Sequence, residues 1–239
     1  MSQAPFRPTA HIYDVVYSHL DYPAHAATVE AVVRRRNPQA ETLLDVACGT
    51  GVHLGIWADE FEVEGIDIDP AMLAVAAERV PDVTLHQADM QDFDLHRTFD
   101  VVTCMFSSIG YAAGEGDLRA SMASMARHLV PGGVLVVEPW LTPEVIQPPY
   151  LRTHVVERDD IVVARTSRMQ HDGAVSDMYM DYLVTTAKGS ELFSEHHVMG
   201  TFTSDQYLAA ASAAGLEAEW DPVGTFLERG LVIGVAPPA

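Results

Sequence analysis

At 239 residues and 48% hydrophobic composition the chain is large for one domain and small for two, so a single α/β core carrying an insertion is expected. A formal net charge of -20, from 34 acids against 14 bases, repels polyphosphate backbones, so no nucleic-acid partner is expected and a small-molecule acceptor is favoured; no membrane partner is expected either. Lys188 is the only lysine, which removes the P-loop and the Tyr-x-x-x-Lys pair of short-chain reductases.

Residues 1 to 9 carry two prolines and no periodicity, and read as a loose arm without the apolar core of a signal peptide. No later stretch approaches the ~20 continuous apolar residues of a membrane span. Cys48 and Cys104 make no paired framework, so a reduced, cytoplasmic protein is expected. From His11 onward Tyr13, Asp14, Tyr17 and Tyr22 recur at near-helical spacing, followed by an amphipathic stretch from Ala24 to Arg36. Tyrosines so spaced are commonly packed core. Lying upstream of the first strand, they also suit a short helical lid, residues 1–36, that folds back across an open α/β site and excludes water. Arg34-Arg35-Arg36 before Asn37-Pro38 reads as a helix C-terminus, with cations against the negative end of the dipole.

A core over 37–140 follows. Thr42 to Val46 reads as a buried parallel strand and Val52 to Glu60 as the next helix, which puts Gly49 and Gly51 in the tight turn between them. A glycine without Cβ lets a ligand touch bare backbone, and the helix start adds oriented N–H groups. Asp45 lies four residues before Gly49, still on the strand. Phe61 to Ile66 ends in Asp67, 22 residues after Asp45, where a carboxylate can accept both hydroxyls of a ribose. Val83 to Ala88 ends in Asp89-Met90, suited to an adenine amino group and ring face. Three strand ends closing in three acids point to S-adenosylmethionine, with Tyr17, Tyr22, Ala47, Ile68, Met72 and Met105 assigned to the same cofactor site. Gly49, Gly51 and Gly55 also satisfy GxGxxxG, which keeps a nicotinamide-dependent oxidoreductase, or a non-catalytic adenosine-binding sensor, open as alternatives.

Asp69-Pro70 starts a helix running to about Val80, with an N-cap acid and a proline at its first position. Phe99 to Phe106 is an apolar strand, and Ser107 to Tyr111 a small-residue loop at its C-terminal end, facing the cofactor. Asp117 to Leu129 reads as a helix; Pro131-Gly132-Gly133 then turns the chain into a strand from Val134 to Val137, closing in Glu138-Pro139-Trp140. Residues 141–200 change texture: β-branched and charged residues alternate, with turn candidates at Asp159-Asp160, His171-Asp172-Gly173 and Lys188-Gly189-Ser190. They read as three or four antiparallel strands appended to one edge of the core. Residues 201–239 return to the core, with an N-cap cluster from Thr203 to Gln206, Gly215 ending the helix, and strands at Leu216 to Trp220 and Gly230 to Val235.

The segments LLDVACGTG, LHQADMQDF, CMFSSIGYAAG and GGVLVVEPW, with IYDVVY upstream and ERGLVIGV downstream, closely resemble the bacterial N,N-dimethyltransferases of nucleotide-linked amino-deoxysugars in macrolide pathways, from about His11 to Val235. The resemblance implies a class I methyltransferase: a Rossmann-like doubly wound α/β sheet, mostly parallel with an antiparallel last strand, plus an inserted antiparallel β-sheet that helps form a homodimer and roofs the sugar site. It implies that Tyr13 is the N-terminal active-site tyrosine, that Tyr111 lines the acceptor pocket, and that Arg229 meets the diphosphate of a dTDP-linked sugar. The family commonly has two tryptophans where this chain has Trp140-Leu141, and a glycine-serine-rich run where it has Val223 to Glu228; both segments would touch the acceptor. Methylation of another natural-product acceptor, at oxygen or nitrogen, is the second reading.

Methyl transfer from a sulfonium to an amine needs alignment and exclusion of water more than covalent help. Tyr13, Tyr111 and Glu138 are the candidates for orienting the amine. Ser107, Trp140, His197 and Arg229 are the candidates for holding the acceptor. His196-His197 is a poor metal site, since adjacent strand residues point to opposite faces, and no metal is expected.

Overall fold

A computed structural model describes residues 9–143, 145–146, 150–225 and 229–239. The expected N-terminal arm, up to residue 8, and residues 226–228 of the segment before Arg229 lie outside the described residues.

The first core strand, β1 (Thr42–Val46), is buried on both sides: Leu43 packs among the residues of one helical layer and Leu44 among those of the other. That double burial is what a parallel strand between two layers of helices requires. With β2 (Glu62–Asp67), β3 (Thr84–Gln87), β4 (Phe99–Cys104), β5 (Leu129–Val137), β10 (Glu217–Asp221) and β11 (Leu231–Val235) it forms one sheet in the order β10-β11-β5-β4-β1-β2-β3. β11 runs antiparallel to β5, and β10 antiparallel to β11; the other pairings are parallel. The strand order reverses between β1 and β4, so their carboxyl ends open the crevice in which doubly wound folds bind ligands.

Helices α2 (Tyr22–Arg36) and α3 (Val52–Trp57) cover one face, with Val29, Val33, Leu54 and Trp57 against Leu43, Val101 and Val136. Helices α5 (Glu115–Ala126) and α6 (Ser204–Ala213) cover the other, with Leu118, Met122 and Tyr207 against Leu44, Val102 and Val137. The caps explain where helices begin. Asp21 accepts the N–H of Ala24, Asp69 accepts that of Ala71 to start α4 (Pro70–Arg79), and Thr203 and Gln206 form a reciprocal capping box on α6. Arg36 ends α2 in an ion pair with Glu219.

Two expectations are corrected. The strand predicted from Val134 begins at Leu129: Pro131-Gly132-Gly133 is a bulge within β5, where the pairing with β4 slips between Phe99 and Val101 and Gly132 takes φ +77. Accordingly α5 ends at Ala126 rather than at Leu129. The strands of the inserted segment are not appended to an edge of the core. β6 (Tyr150–Arg158), β7 (Ile161–His171), β8 (Val175–Thr186) and β9 (Gly189–Gly200) form a separate antiparallel sheet in sequence order. Its strict alternation gives it one apolar face, with Val163, Met169, Met180 and Val184, and that face packs with Ile12, Val16 and Trp140. The short helix α1 (Tyr13–Val16) touches β6, and β9 touches the 3-10 turn Ser108–Tyr111, so the second sheet lies over the site end of the core.

Candidate active site

The floor is the turn after β1. Gly49 (φ +56) and Gly51 (φ +74) take the left-handed conformation that favours glycine, and Ala47 takes it too at φ +59. A Cβ at Gly49 would meet nothing within 4 Å, so the turn is open at that point, whereas one at Gly51 would lie 3.1 Å from Ala76. Gly49 therefore leaves room for a ligand beside its backbone, and Gly51 is a place where α3 approaches α4. Asp67, at the tip of β2, accepts the N–H of Gly49 on Oδ2 and the N–H of Asp69 on Oδ1, both at 2.8 Å. It ties the glycine turn to the start of α4. Burial raises its pKa while those backbone donors oppose the rise. The N-terminal segment is clamped to this floor: Asp14 accepts the Thr50 hydroxyl at 2.7 Å and pairs with Arg79, whose Nε donates to the Thr50 carbonyl at 2.9 Å.

Glu138, at the end of β5, is wholly buried beneath the wall. Its Oε2 accepts the N–H of Phe106 at 2.8 Å, and its Oε1 accepts the Thr225 hydroxyl and lies 3.4 Å from His25 Nε2. Phe106 and Ser107 both have positive φ, so this carboxylate holds a strained corner of backbone. Ser107 in turn donates to the Pro139 carbonyl at 2.7 Å and accepts from Arg229 at 2.6 Å. The Arg229 guanidinium stands 4.5 Å above the Trp140 ring; burial lowers its pKa, with Glu138 opposing.

The inner face of the second sheet supplies the roof. Arg165 of β7 donates to Tyr17 Oη at 3.1 Å with its guanidinium 5.2 Å from the Tyr17 ring, and its buried Nε has no hydrogen-bond partner. Tyr13 and Tyr17 have ring centroids 4.7 Å apart, and Tyr17 meets Phe106 edge-on at 5.1 Å. Tyr111 Oη lies 2.8 Å from His197 Nδ1, and His197 Nε2 lies 3.3 Å from Glu195 Oε2.

Floor, wall and roof enclose one cavity of about 610 Å³. Of the residues singled out in the sequence, Tyr13, Tyr17, Ala47, Gly49, Asp67, Ile68, Met72, Asp89, Met90, Tyr111, Trp140, His197 and Arg229 line it. Asp45, Gly51, Tyr22, Met105, Ser107 and Glu138 stand behind that lining. Asp45 is buried within β1, where the Thr103 hydroxyl donates to it at 2.8 Å and burial pushes its pKa up to about 7. Tyr22 packs its ring against His53 and Phe106. Sequence reasoning missed Arg165, Tyr150, Phe106 and Met180, which also line the cavity. Arg165 carried a usable signal: it sits two residues from Val163 and from Ser167 on the inward register of an alternating strand, where an arginine is out of place unless it serves a ligand.

The same architecture is found in known proteins. Residues 43–133 match the family model of a methyltransferase domain. The chain is 44% identical, over 95% of its length and 90% of the relative's, to a dTDP-3-amino-3,6-dideoxy-alpha-D-glucopyranose N,N-dimethyltransferase of Streptomyces fradiae. It is 43% identical, over 95% of its length and 97% of the relative's, to a dTDP-3-amino-3,4,6-trideoxy-alpha-D-glucopyranose N,N-dimethyltransferase of Streptomyces venezuelae. Among solved structures, Streptomyces venezuelae DesVI superposes with a TM-score of 0.91 at 43% identity, covering 96% of this chain and 98% of that one. These likenesses decide the choice that the glycine spacing left open between a methyl donor and a nicotinamide. The chain belongs to the dTDP-amino-deoxysugar N,N-dimethyltransferase family of S-adenosylmethionine-dependent methyltransferases.

Proposed function

We propose that the protein N,N-dimethylates the amino group of a dTDP-linked amino-deoxysugar in natural-product biosynthesis. The observation that carries the reading is the single cavity, whose floor is an acidic, open glycine turn and whose roof and wall bring in two half-buried arginines, Arg165 and Arg229. S-adenosylmethionine, when bound, supplies a methyl group already activated on a sulfonium. The floor fits that group: Gly49 offers open backbone, Asp67 carboxylate lone pairs left after its two backbone bonds, and Asp89 and Met90 a polar edge beside an apolar face.

Arg165 and Arg229 suit the diphosphate of the acceptor. Neither has a carboxylate partner among the described residues, although acids outnumber bases 34 to 14 in the chain. Both guanidiniums are partly withdrawn from water, and an anionic ligand offsets the cost of that desolvation. Tyr13 and Tyr111 orient the amine between floor and roof. Glu138 works one step back, fixing the Phe106-Ser107 corner and, through Ser107, Arg229.

The outer face of the second sheet supports a homodimer. One row, Val155, Ala164, Leu183 and Leu192, is in register across all four strands, and Leu192 is 80% exposed. A continuous apolar row on a free sheet face is suited to a second copy of the chain. Cys48 and Cys104 are buried and unpaired, which supports a reducing, cytoplasmic setting.

The test is methyl transfer from S-adenosylmethionine to dTDP-sugars bearing the amine at different ring positions, read by mass spectrometry for one or two added methyl groups. Transfer to an aglycone amine or hydroxyl, with no transfer to any dTDP-amino-sugar, would overturn the reading.

A further inference from the structure

From Tyr111 in the cavity lining runs a line of polar side chains, the next three of them buried, that substrate holding alone does not call for. Tyr111, on the 3-10 turn after β4, meets His197 of β9 at 2.8 Å; His197 meets Glu195 of the same strand at 3.3 Å; and Glu195 accepts the hydroxyl of Thr9 at 2.7 Å on its other oxygen. His197 is 1% exposed and Glu195 5% exposed. Among the described residues the ion-pair partner of Glu195 is His197.

The chemistry of the partners fixes the proton positions. A carboxylate only accepts, so His197 Nε2 carries a hydrogen toward Glu195, and in the neutral ring Nδ1 is then the acceptor for the Tyr111 hydroxyl. With a proton added to Nδ1, both ring nitrogens donate, Tyr111 Oη becomes the acceptor, and the contacts to Tyr111 and Glu195 both survive. The line therefore serves both protonation states of the ring without rearrangement. The acceptor amine, which reaches the enzyme largely as an ammonium at neutral pH, must lose a proton before its lone pair is free.

We infer that Tyr111 and His197, backed by Glu195, form a proton relay that takes the proton from the acceptor ammonium. This rests on the amino-sugar reading above. The ammonium proton passes to Tyr111 Oη as the phenolic proton passes to His197 Nδ1. The amine becomes neutral and the imidazole becomes imidazolium, facing the Glu195 carboxylate. Total charge is unchanged, and the freed nitrogen lone pair forms the bond to the methyl carbon as the sulfur–carbon bond breaks. The imidazolium returns its proton to solvent before the next turnover. Tyr111 itself does not store charge, because burial, and after it Tyr17 and Glu195, raise its pKa far above the usual phenol value. Glu195 and Thr9 are positioning residues: they hold the tautomer and ring orientation of His197. The other ionisable groups coupled to this line are Tyr13 and Tyr17 of the N-terminal segment, Asp67 at the tip of β2, Tyr182 of β8 and, through Tyr182, Arg165 of β7.

The test is the pH dependence of kcat in the full-length enzyme with saturating S-adenosylmethionine and a dTDP-amino-sugar, for wild type, His197→Gln, Glu195→Gln and Tyr111→Phe. Calorimetry with S-adenosylhomocysteine checks that each variant keeps the cofactor site. Proton-transfer residues contribute about 10²–10⁴-fold, so His197→Gln and Tyr111→Phe are expected to lose on the order of 100-fold at pH 7. They are then expected to recover most of it above the pKa of the amine, where the acceptor arrives already neutral; Glu195→Gln follows the same curve with a smaller loss. A loss that is constant across pH, or no loss at all, would overturn the relay and leave these residues a packing role. Tyr111→Phe decides the matter if a change in the roof prevents folding, since it removes only the hydroxyl. Wild-type inactivity toward every dTDP-amino-sugar would instead defeat the substrate reading, and the relay with it.

Discussion

Glu138 Oε2 receives the backbone N–H of Phe106 at 2.8 Å, and in doing so a buried acid holds the corner on which Arg229 depends. Glu138→Ala takes the acceptor away from that N–H and from the buried Thr225 hydroxyl. At about 3 kcal/mol for unmatched buried groups, the melting temperature is expected to fall by roughly 6–12 °C in a chain of this size. Differential scanning calorimetry checks it. Glu138→Gln, which keeps one acceptor, is expected to fall less and to raise the acceptor KM more than the cofactor Kd.

Arg229→Ala and Arg165→Ala are each expected to raise the acceptor KM about 10–100-fold, the equivalent of one charge-assisted hydrogen bond, while the Kd for S-adenosylhomocysteine stays within about twofold, less than 0.5 kcal/mol. Steady-state kinetics beside calorimetry separate the two. Equal losses on both sides would mark a structural arginine instead.

Asp67→Asn tests the floor. The carboxylate receives two backbone N–H groups and lines the cavity, and an amide placed there turns a donor toward one of those donors. The affinity for S-adenosylhomocysteine is expected to drop about 10–100-fold, with little change in acceptor KM at saturating cofactor.

Asp45 gives the protein a pH signature. Burial lifts its pKa to about 7, against the bond from Thr103, so the folded form binds a proton that the unfolded form has released. Stability from this group is complete below the unfolded value of about pH 4 and is lost as pH rises toward about 7. Denaturant titrations of wild type and Asp45→Asn should therefore converge or cross in that interval, with the variant lacking this part of the slope. Identical slopes would show that Asp45 is ionised in the folded protein at low pH.

Leu183→Asp and Leu192→Asp place charge in the apolar row on the outer face of the second sheet. Light scattering is expected to find a dimer for wild type and a monomer for the variants. A monomeric wild type would remove the interface.

Much of this was legible in the sequence because the relevant forces are local. Asp69-Pro70 and Thr203 to Gln206 announce helix starts through their own caps, and the apolar run ending in Asp45 and two glycines can be little else than a strand and a turn. The bulge in β5 was not legible: Pro131-Gly132-Gly133 looks like a turn, and only the pairing with β4 and the hydrogen bonds to Ala236 on the neighbouring strand's extension keep it in the sheet. The placement of the second sheet was hidden too, since alternation tells which face is apolar but not what that face covers. Glu138 shows the limit most clearly. An acid at a strand end reads as a ligand contact, and tertiary burial made it a fastener for someone else's backbone. Arg165 shows the reverse case, a signal present in the alternation and passed over.

The two sheets divide the work along the chain. The floor of the cavity comes mostly from the tips of β1, β2 and β3 and the clamped N-terminal segment, while β6 to β9 arrive as one contiguous stretch that, among the described residues, forms a sheet separate from that of the core. Drift in that stretch can thus reshape the roof of the cavity without disturbing the strand tips and the glycine turn beneath it.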